Sequence, residues 1–351
     1  MNSSIFRPAW WLRGPHGQTI WGSLTRPRRR VTLRRETLIT PDDDDLVLDH
    51  LDVHLDIPLG VHLDVPDRRA KFRFLLLHGL EGSTYSVYMQ GLMESIARLG
   101  YAATAVNFRS CARDPKRIFR SLPNRRPRFY HSGETSDLDF VVRTLRARDP
   151  EVRLLGCGIS LGGNVLLKWL GEHPGEASIA AAATLSVPYD LGAGAEYMTG
   201  GGGPFYVGRF LKSLRAKTAG VVRRFPEVAA RVDLHAANAA RTFREFDDAV
   251  TGPLHGFTGA DDYYDRSSSI HFLERISVPT LGIRAEDDPF LPPAVLQRAR
   301  SVASPFVEFL VTPVGGHTGF VSGRLPWRSE YWAEQVMTKW LASQADRISS
   351  T

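Results

Sequence analysis

The chain has 351 residues, 43% of them apolar, and a formal charge of +6 at neutral pH. That suits a large α/β domain with an insertion, or two domains. No apolar run approaches the roughly 18–20 residues that span a bilayer. The start, Met1 to Pro8, lacks the charged-then-apolar order of a secretion signal, and two cysteines cannot staple a small fold, so a cytoplasmic setting is expected.

Positive charge gathers at Arg26 to Arg35 and at Arg120 to Arg128. No zinc spacing, aromatic RNA-binding motif or long basic helix accompanies it, so no nucleic-acid partner is expected. The bland reading is a solvated basic face; the functional one is peripheral contact with an anionic membrane.

In chain order, residues 1–25 carry Trp10, Trp11 and Trp21, indoles expected to pack on the main body. Two strand-like runs, 31–39 and 46–54, flank Asp42 to Asp45. That stretch reads as a turn, because consecutive carboxylates diverge and no calcium-loop spacing follows. Phe72 to Leu77 is a buried strand running into His78-Gly79-Leu80-Glu81-Gly82, then a helix over about 85–99 and a strand over Tyr101 to Phe108. Past Cys111, read as structural, a basic insert reaches Arg128. A helix opens after Tyr130, with Ser132 or Thr135 as its N-cap.

Strand 152–157 leads into Gly158-Ile159-Ser160-Leu161-Gly162, and a helix runs on to Gly171. Ile179 to Val187 is a further buried strand. From Pro188 to Ser277 the strand–helix rhythm stops, too long a stretch for a connection, and a helical cap is expected. The rhythm resumes with strand Val278 to Arg284, helix 293–302, strand Phe306 to Val311, the loop Gly315 to Phe320 and a closing helix over 327–342. The predicted organisation is α/β, a mostly parallel sheet flanked by helices, with core segments 1–187 and 278–351 and a cap at 188–277.

Strand, sharp turn and helix around Ser160 describe a nucleophile elbow, where Gly158 and Gly162 leave room for a strained serine. Such a serine needs a base and a carboxylate that fixes the base's tautomer. His317 is the one histidine downstream of the acidic loop Glu286-Asp287-Asp288. Among those acids Asp288 leads, because Pro289 fixes its backbone direction, with Asp287 next. The expected chemistry is acyl transfer: Ser160 attacks an ester carbonyl, His317 takes the proton, and the N–H groups of Leu80 and Leu161 hold the oxyanion. No cofactor or metal is called for.

These residues resemble the YheT-like branch of the α/β-hydrolases, related to the eukaryotic ABHD lipases. The resemblance runs from Trp11 and Gln18-Thr19-Ile20 through His78 to Gly82, Asn107-Phe108-Arg109, Tyr130 to Thr135 and the Ser160 elbow. It continues through Tyr189-Asp190, Thr251 to Phe257, Asp262-Tyr263-Tyr264, Asp287 to Phe290 and Gly315 to Phe320. It implies the α/β-hydrolase fold, the triad Ser160, Asp288 and His317, and hydrolysis of short-chain esters or acylglycerols. Relatives that transfer acyl groups from acyl-CoA to alcohols leave that activity as the alternative, and a binding module on a retired scaffold is the non-enzymatic one. The sequence departs from the family at Ser110, where a glycine is usual, and in the insert 115–124.

Overall fold

The strands form where continuous apolar runs demand burial on both faces. In the computed structural model, which describes residues 5–28, 31–52 and 70–350, Phe72, Phe74 and Leu76 point into one core and Leu75 and Leu77 into the other. That alternation is the period-two signature of a strand covered on both sides. Eight strands make the sheet: β1 (Arg34–Ile39), β2 (Asp45–Leu51), β3 (Phe72–Leu77), β4 (Ala102–Asn107), β5 (Arg153–Ile159), β6 (Ile179–Leu185), β7 (Thr280–Ala285) and β8 (Val307–Thr312). Their spatial order is β1-β2-β4-β3-β5-β6-β7-β8. Only β2 runs against the rest, antiparallel to both β1 and β4.

Register aligns the strand ends that matter. Leu77 of β3 lies opposite Gly158 of β5, and Ile159 of β5 opposite Leu185 of β6. The segments leaving β3 and β5 therefore emerge side by side. Helices Val87–Arg98 and Trp332–Ser349 contribute to one core; Ser136–Arg148, Leu161–Glu172 and Pro293–Val302 contribute to the other.

Between β6 and β7 lies a run of helices led by Gly203–Arg224, with a separate apolar cluster that includes Tyr206, Leu211, Leu214, Phe246 and Phe290. Here a π-turn over Asp247–Thr251 continues directly into Gly252–His255. Other departures from expectation are local. The insert folds back as a small hairpin, Arg113–Asp114 with Arg117–Ser121. The helix expected after Tyr130 begins only at Ser136, with Thr135 in the cap position but making no side-chain cap bond. The closing helix starts at Trp332, because Pro326–Arg328 forms a short 3-10 turn instead. A helix that no apolar period announces, Pro15–Thr25, starts on a proline. Residues 53 and 54 of the second strand-like run lie outside the described residues.

The acidic turn has a clear occupation. Buried Arg109 takes Asp137 with two bonds of 2.8 and 2.6 Å, Asp42 with two of 2.8 and 2.9 Å, and Asp44 with one of 2.8 Å. Arg125, Arg126 and Arg128 of the basic insert reach Asp45, Asp43 and Asp42. Part of the expected basic face is thus paired: these three arginines with the acidic turn, and Arg26, Arg34 and Arg35 with Glu334, Asp52 and Asp49.

Candidate active site

Ser160 sits between β5 and helix Leu161–Glu172 with φ 53° and ψ −119°, a conformation that L side chains seldom adopt. It persists because the surroundings over-determine it. A Cβ on Gly158 would lie 2.6 Å from the Gly163 Cα, and one on Gly162 would lie 2.5 Å from the carbonyl oxygens of Leu77 and His78. The turn can close this tightly only with glycine at both places.

His317 Nε2 lies 2.9 Å from Ser160 Oγ, and its Nδ1 lies 2.9 and 3.1 Å from the two carboxylate oxygens of Asp288. With Nδ1–H donating to Asp288, Nε2 is left free to accept the serine proton, the tautomer a general base requires. Asp288 is 1% exposed and His317 6%. The Asp288 carboxylate also accepts from the Phe290 N–H at 2.9 Å, and the Phe290 ring lies 4.2 Å from the imidazole. The neighbouring acid is separated from it by its own partner: Asp287 accepts from the Gly316 N–H at 2.9 Å. Burial raises the Asp287 carboxyl above its ordinary range. The three residues expected from the sequence thus meet, and Asp287 holds the histidine loop.

That loop has a second brace, which sequence reasoning missed. The His317 N–H donates to Thr19 Oγ1 at 3.0 Å, and Thr19 Oγ1 in turn donates to Pro15 O at 2.7 Å. Gln18, 1% exposed, donates to Leu12 O and Val321 O and accepts from the Val321 N–H. A Cβ on Gly319 would strike the Gln18 carbonyl oxygen at 2.0 Å. The N-terminal helix is therefore built into the histidine loop. Its only advance signal was the Gln18-Thr19 pair among the family-like motifs, which no periodicity explained.

The segment leaving β3 faces Ser160 directly, since a Cβ on Gly79 would stand 3.2 Å from the serine Cβ. His78 fixes its path: Nδ1–H donates to the Gly79 carbonyl at 2.8 Å, and Nε2 accepts from the Phe108 N–H at 3.1 Å. Full burial pushes this imidazole down to about 4, so it stays neutral and keeps both bonds. Tyr88 OH accepts from the Gly79 N–H at 2.9 Å and Tyr130 OH from the Glu81 N–H at 2.6 Å. Between them, the N–H of Leu80 has no acceptor among the described residues, and neither has that of Leu161. Glu81, held at φ 54°, pairs with Lys217 of the long helix Gly203–Arg224 at 2.5 Å, both side chains 9% exposed. Ser213 Oγ donates to the same carboxylate. Lys217 also lies 3.4 Å from the sulfur of Cys111, whose thiol burial pushes up to about 11, which supports reading it as structural.

Ser110 has φ 63°, which explains the glycine usual at this place in the family. The insert supplies the compensation: Asn124 accepts from both the N–H and the hydroxyl of Ser110 and donates to Asp45 O at 2.8 Å.

Residues 73–323 match the family described as alpha/beta hydrolase fold. The chain belongs to the α/β-hydrolase family, and within it to the YheT-like branch. It is 32% identical over 348 residues, covering 99% of this chain and 96% of the other, to the Escherichia coli protein named "Putative esterase YheT". It is 28% identical over 330 residues to mouse Phospholipase ABHD3, covering 94% of this chain and 76% of that one. A solved structure of Est1E from Butyrivibrio proteoclasticus shares the fold with a TM-score of 0.51 at 13% identity, covering 89% of this chain and 99% of that chain.

Proposed function

We propose that the protein is a serine hydrolase of carboxylic esters, with Ser160 as nucleophile, His317 as general base and acid, and Asp288 orienting the imidazole. The observation that carries this reading is the continuous hydrogen-bonded line from Ser160 Oγ through His317 to buried Asp288. As Ser160 Oγ bonds to the ester carbonyl carbon, its proton passes to His317 Nε2 and the carbonyl oxygen takes the negative charge. The N–H groups of Leu80 and Leu161 are the donors for that oxyanion, at the start of a helix whose dipole also favours negative charge. Collapse expels the alcohol, protonated by His317, and leaves an acyl-serine. Water, deprotonated by the same imidazole, then releases the acid. The helical segment 188–277 acts as the cap, and the apolar cluster of Tyr206, Phe290 and Leu211 near His317 suits an acyl chain of an ester or acylglycerol. A cytoplasmic location fits two buried, unpaired cysteines.

The test is fluorophosphonate labelling of pure protein beside Ser160→Ala, followed by p-nitrophenyl esters of rising chain length. Labelling of the wild type alone, with turnover peaking at one length, is expected. Folded wild type that neither labels nor turns over would favour the binding-module reading. Ester product appearing in place of free acid when alcohol is added would favour acyl transfer.

A further inference from the structure

The N-terminal brace has an outer side. Trp10 is 69% exposed, Trp327 76% and Leu24 75%, with Ile20 and Leu325 also open to solvent. They form one surface, because the indole N–H groups of Trp10 and Trp11 donate to the carbonyls of Arg324 and Gly323, and that of Trp21 to Ser329 Oγ. Trp11 and Trp21 rings lie 4.9 Å apart, and Ile20 and Leu24 are one helical turn apart on Pro15–Thr25. The expectation that the three early tryptophans would pack away holds for Trp11 and Trp21, which are partly covered, and fails for Trp10.

The charge around this surface is mostly positive, with exposed Glu330 at its margin. Residues 1–35 contain no Asp or Glu, and neither do residues 313–329. Arg7, Arg13, Arg324 and Arg328 are exposed, and none of them pairs with a carboxylate among the described residues. Arg125, Arg126 and Arg128, by contrast, are spent on Asp42, Asp43 and Asp45. Exposed indoles ringed by unpaired guanidinium groups match the boundary of an anionic bilayer: the ring buries at headgroup depth and the cation meets phosphate or carboxylate. The chain has no helix among the described residues long and apolar enough to cross a membrane, so contact would be with the surface.

We propose that the face formed by Trp10, Ile20, Leu24, Arg324, Trp327 and Arg328 seats the protein on an anionic lipid surface. The consequence for the site follows from the helix that carries it. Thr19 and Pro15 on its inner side hold the His317 loop, and His16 Nδ1 lies 3.0 Å from the Tyr206 hydroxyl of the cap. A docked molecule would therefore hold its histidine loop and the Tyr206 end of the long helix close to the lipid. The binding surface does not need the esterase reading, since sedimentation requires no turnover.

The experiment is co-sedimentation of the full chain with vesicles of phosphatidylcholine alone and of phosphatidylcholine mixed with phosphatidylserine. Each arginine near such a surface changes partition by about fivefold. Binding to mixed vesicles is thus expected to fall about 25-fold in Arg324→Gln/Arg328→Gln, and also to fall in Trp10→Ser/Trp327→Ser. The melting temperature of both variants, and turnover of a soluble short-chain ester if the wild type shows it, should stay at the wild-type values. Binding that ignores phosphatidylserine, or that both double variants retain, would overturn the proposal. So would lipid-free self-association abolished by Trp10→Ser/Trp327→Ser, because the face would then belong to a second copy of the chain.

Discussion

Gly162→Ala probes the geometry of the elbow without touching any group that takes part in the chemistry. The new methyl would lie 2.5 Å from the carbonyl oxygens of Leu77 and His78, which are backbone atoms at the end of β3 and cannot swing aside. Ordinary contact begins at 3.4 Å, so the start of helix Leu161–Glu172 must part from the β3 segment by about 0.9 Å. Leu161 moves with the helix and Leu80 stays with the segment. One of two donors aimed at the same oxyanion then falls outside bonding reach. Losing one such donor typically costs about 3 kcal/mol in the transition state, or on the order of a hundredfold in kcat. The ground-state carbonyl depends less on these donors, so KM should change little. Overpacking adds about 1–3 kcal/mol of lost stability. Steady-state kinetics on a p-nitrophenyl ester, with a melting curve on the same sample, reads both effects. A folded variant whose kcat stays within threefold of wild type would refute the assignment of Leu80 and Leu161.

Two further outcomes follow from polar groups elsewhere. Asn124→Ala leaves the buried Ser110 N–H and the Asp45 carbonyl without their partner, and should cost about 2–4 kcal/mol in urea unfolding. Adding Ser110→Gly should recover part of that loss by relieving the left-handed backbone, and no recovery would mean that the strain is unimportant. Asp247, bonded by Thr251 Oγ1 at 2.5 Å and the Tyr264 hydroxyl at 2.7 Å, has its carboxyl pushed by burial up to about 6. A raised folded pKa favours the protonated, folded form at low pH, and this contribution is lost as pH rises through about 6. Asp247→Asn should therefore gain stability relative to wild type between pH 4 and 7, by at most about 3 kcal/mol. A pH-independent difference would show that Asp247 ionises normally.

Much of the fold was legible because buried parallel strands write themselves as apolar runs. Phe72 to Leu77 could be little else, and the glycines around Ser160 marked a turn that other residues cannot make. Asp288 could be preferred to Asp287 from Pro289 alone, and the structure gives each acid its own partner. What stayed hidden depended on contacts far apart in sequence. Helix Pro15–Thr25 has few buried positions, so no apolar period announced it; it is held by Gln18 and Thr19 reaching residues some 300 positions away. The four aspartates looked like an isolated turn because Arg109 and the insert that occupy them lie more than 60 residues downstream. The early tryptophans and arginines raised membrane contact as a reading, but not the face itself, because Trp327, Leu325 and Arg328 join it from some 300 residues away.

The pairing of Lys217 with Glu81 constrains how anything can enter. Separating a buried pair so that one charge is left unpaired costs about 3–5 kcal/mol. If the long helix Gly203–Arg224 had to lift off the core in each cycle, the open form would be populated only about once in 10²–10⁴ molecules, at about 1.4 kcal/mol per tenfold. Near its start the same helix is packed as well: Tyr206, 7% exposed, bonds to and stacks on His16 and lies edge-on to Phe290. The helix is thus moored twice, to the segment leaving β3 through Lys217 and to the N-terminal helix through Tyr206.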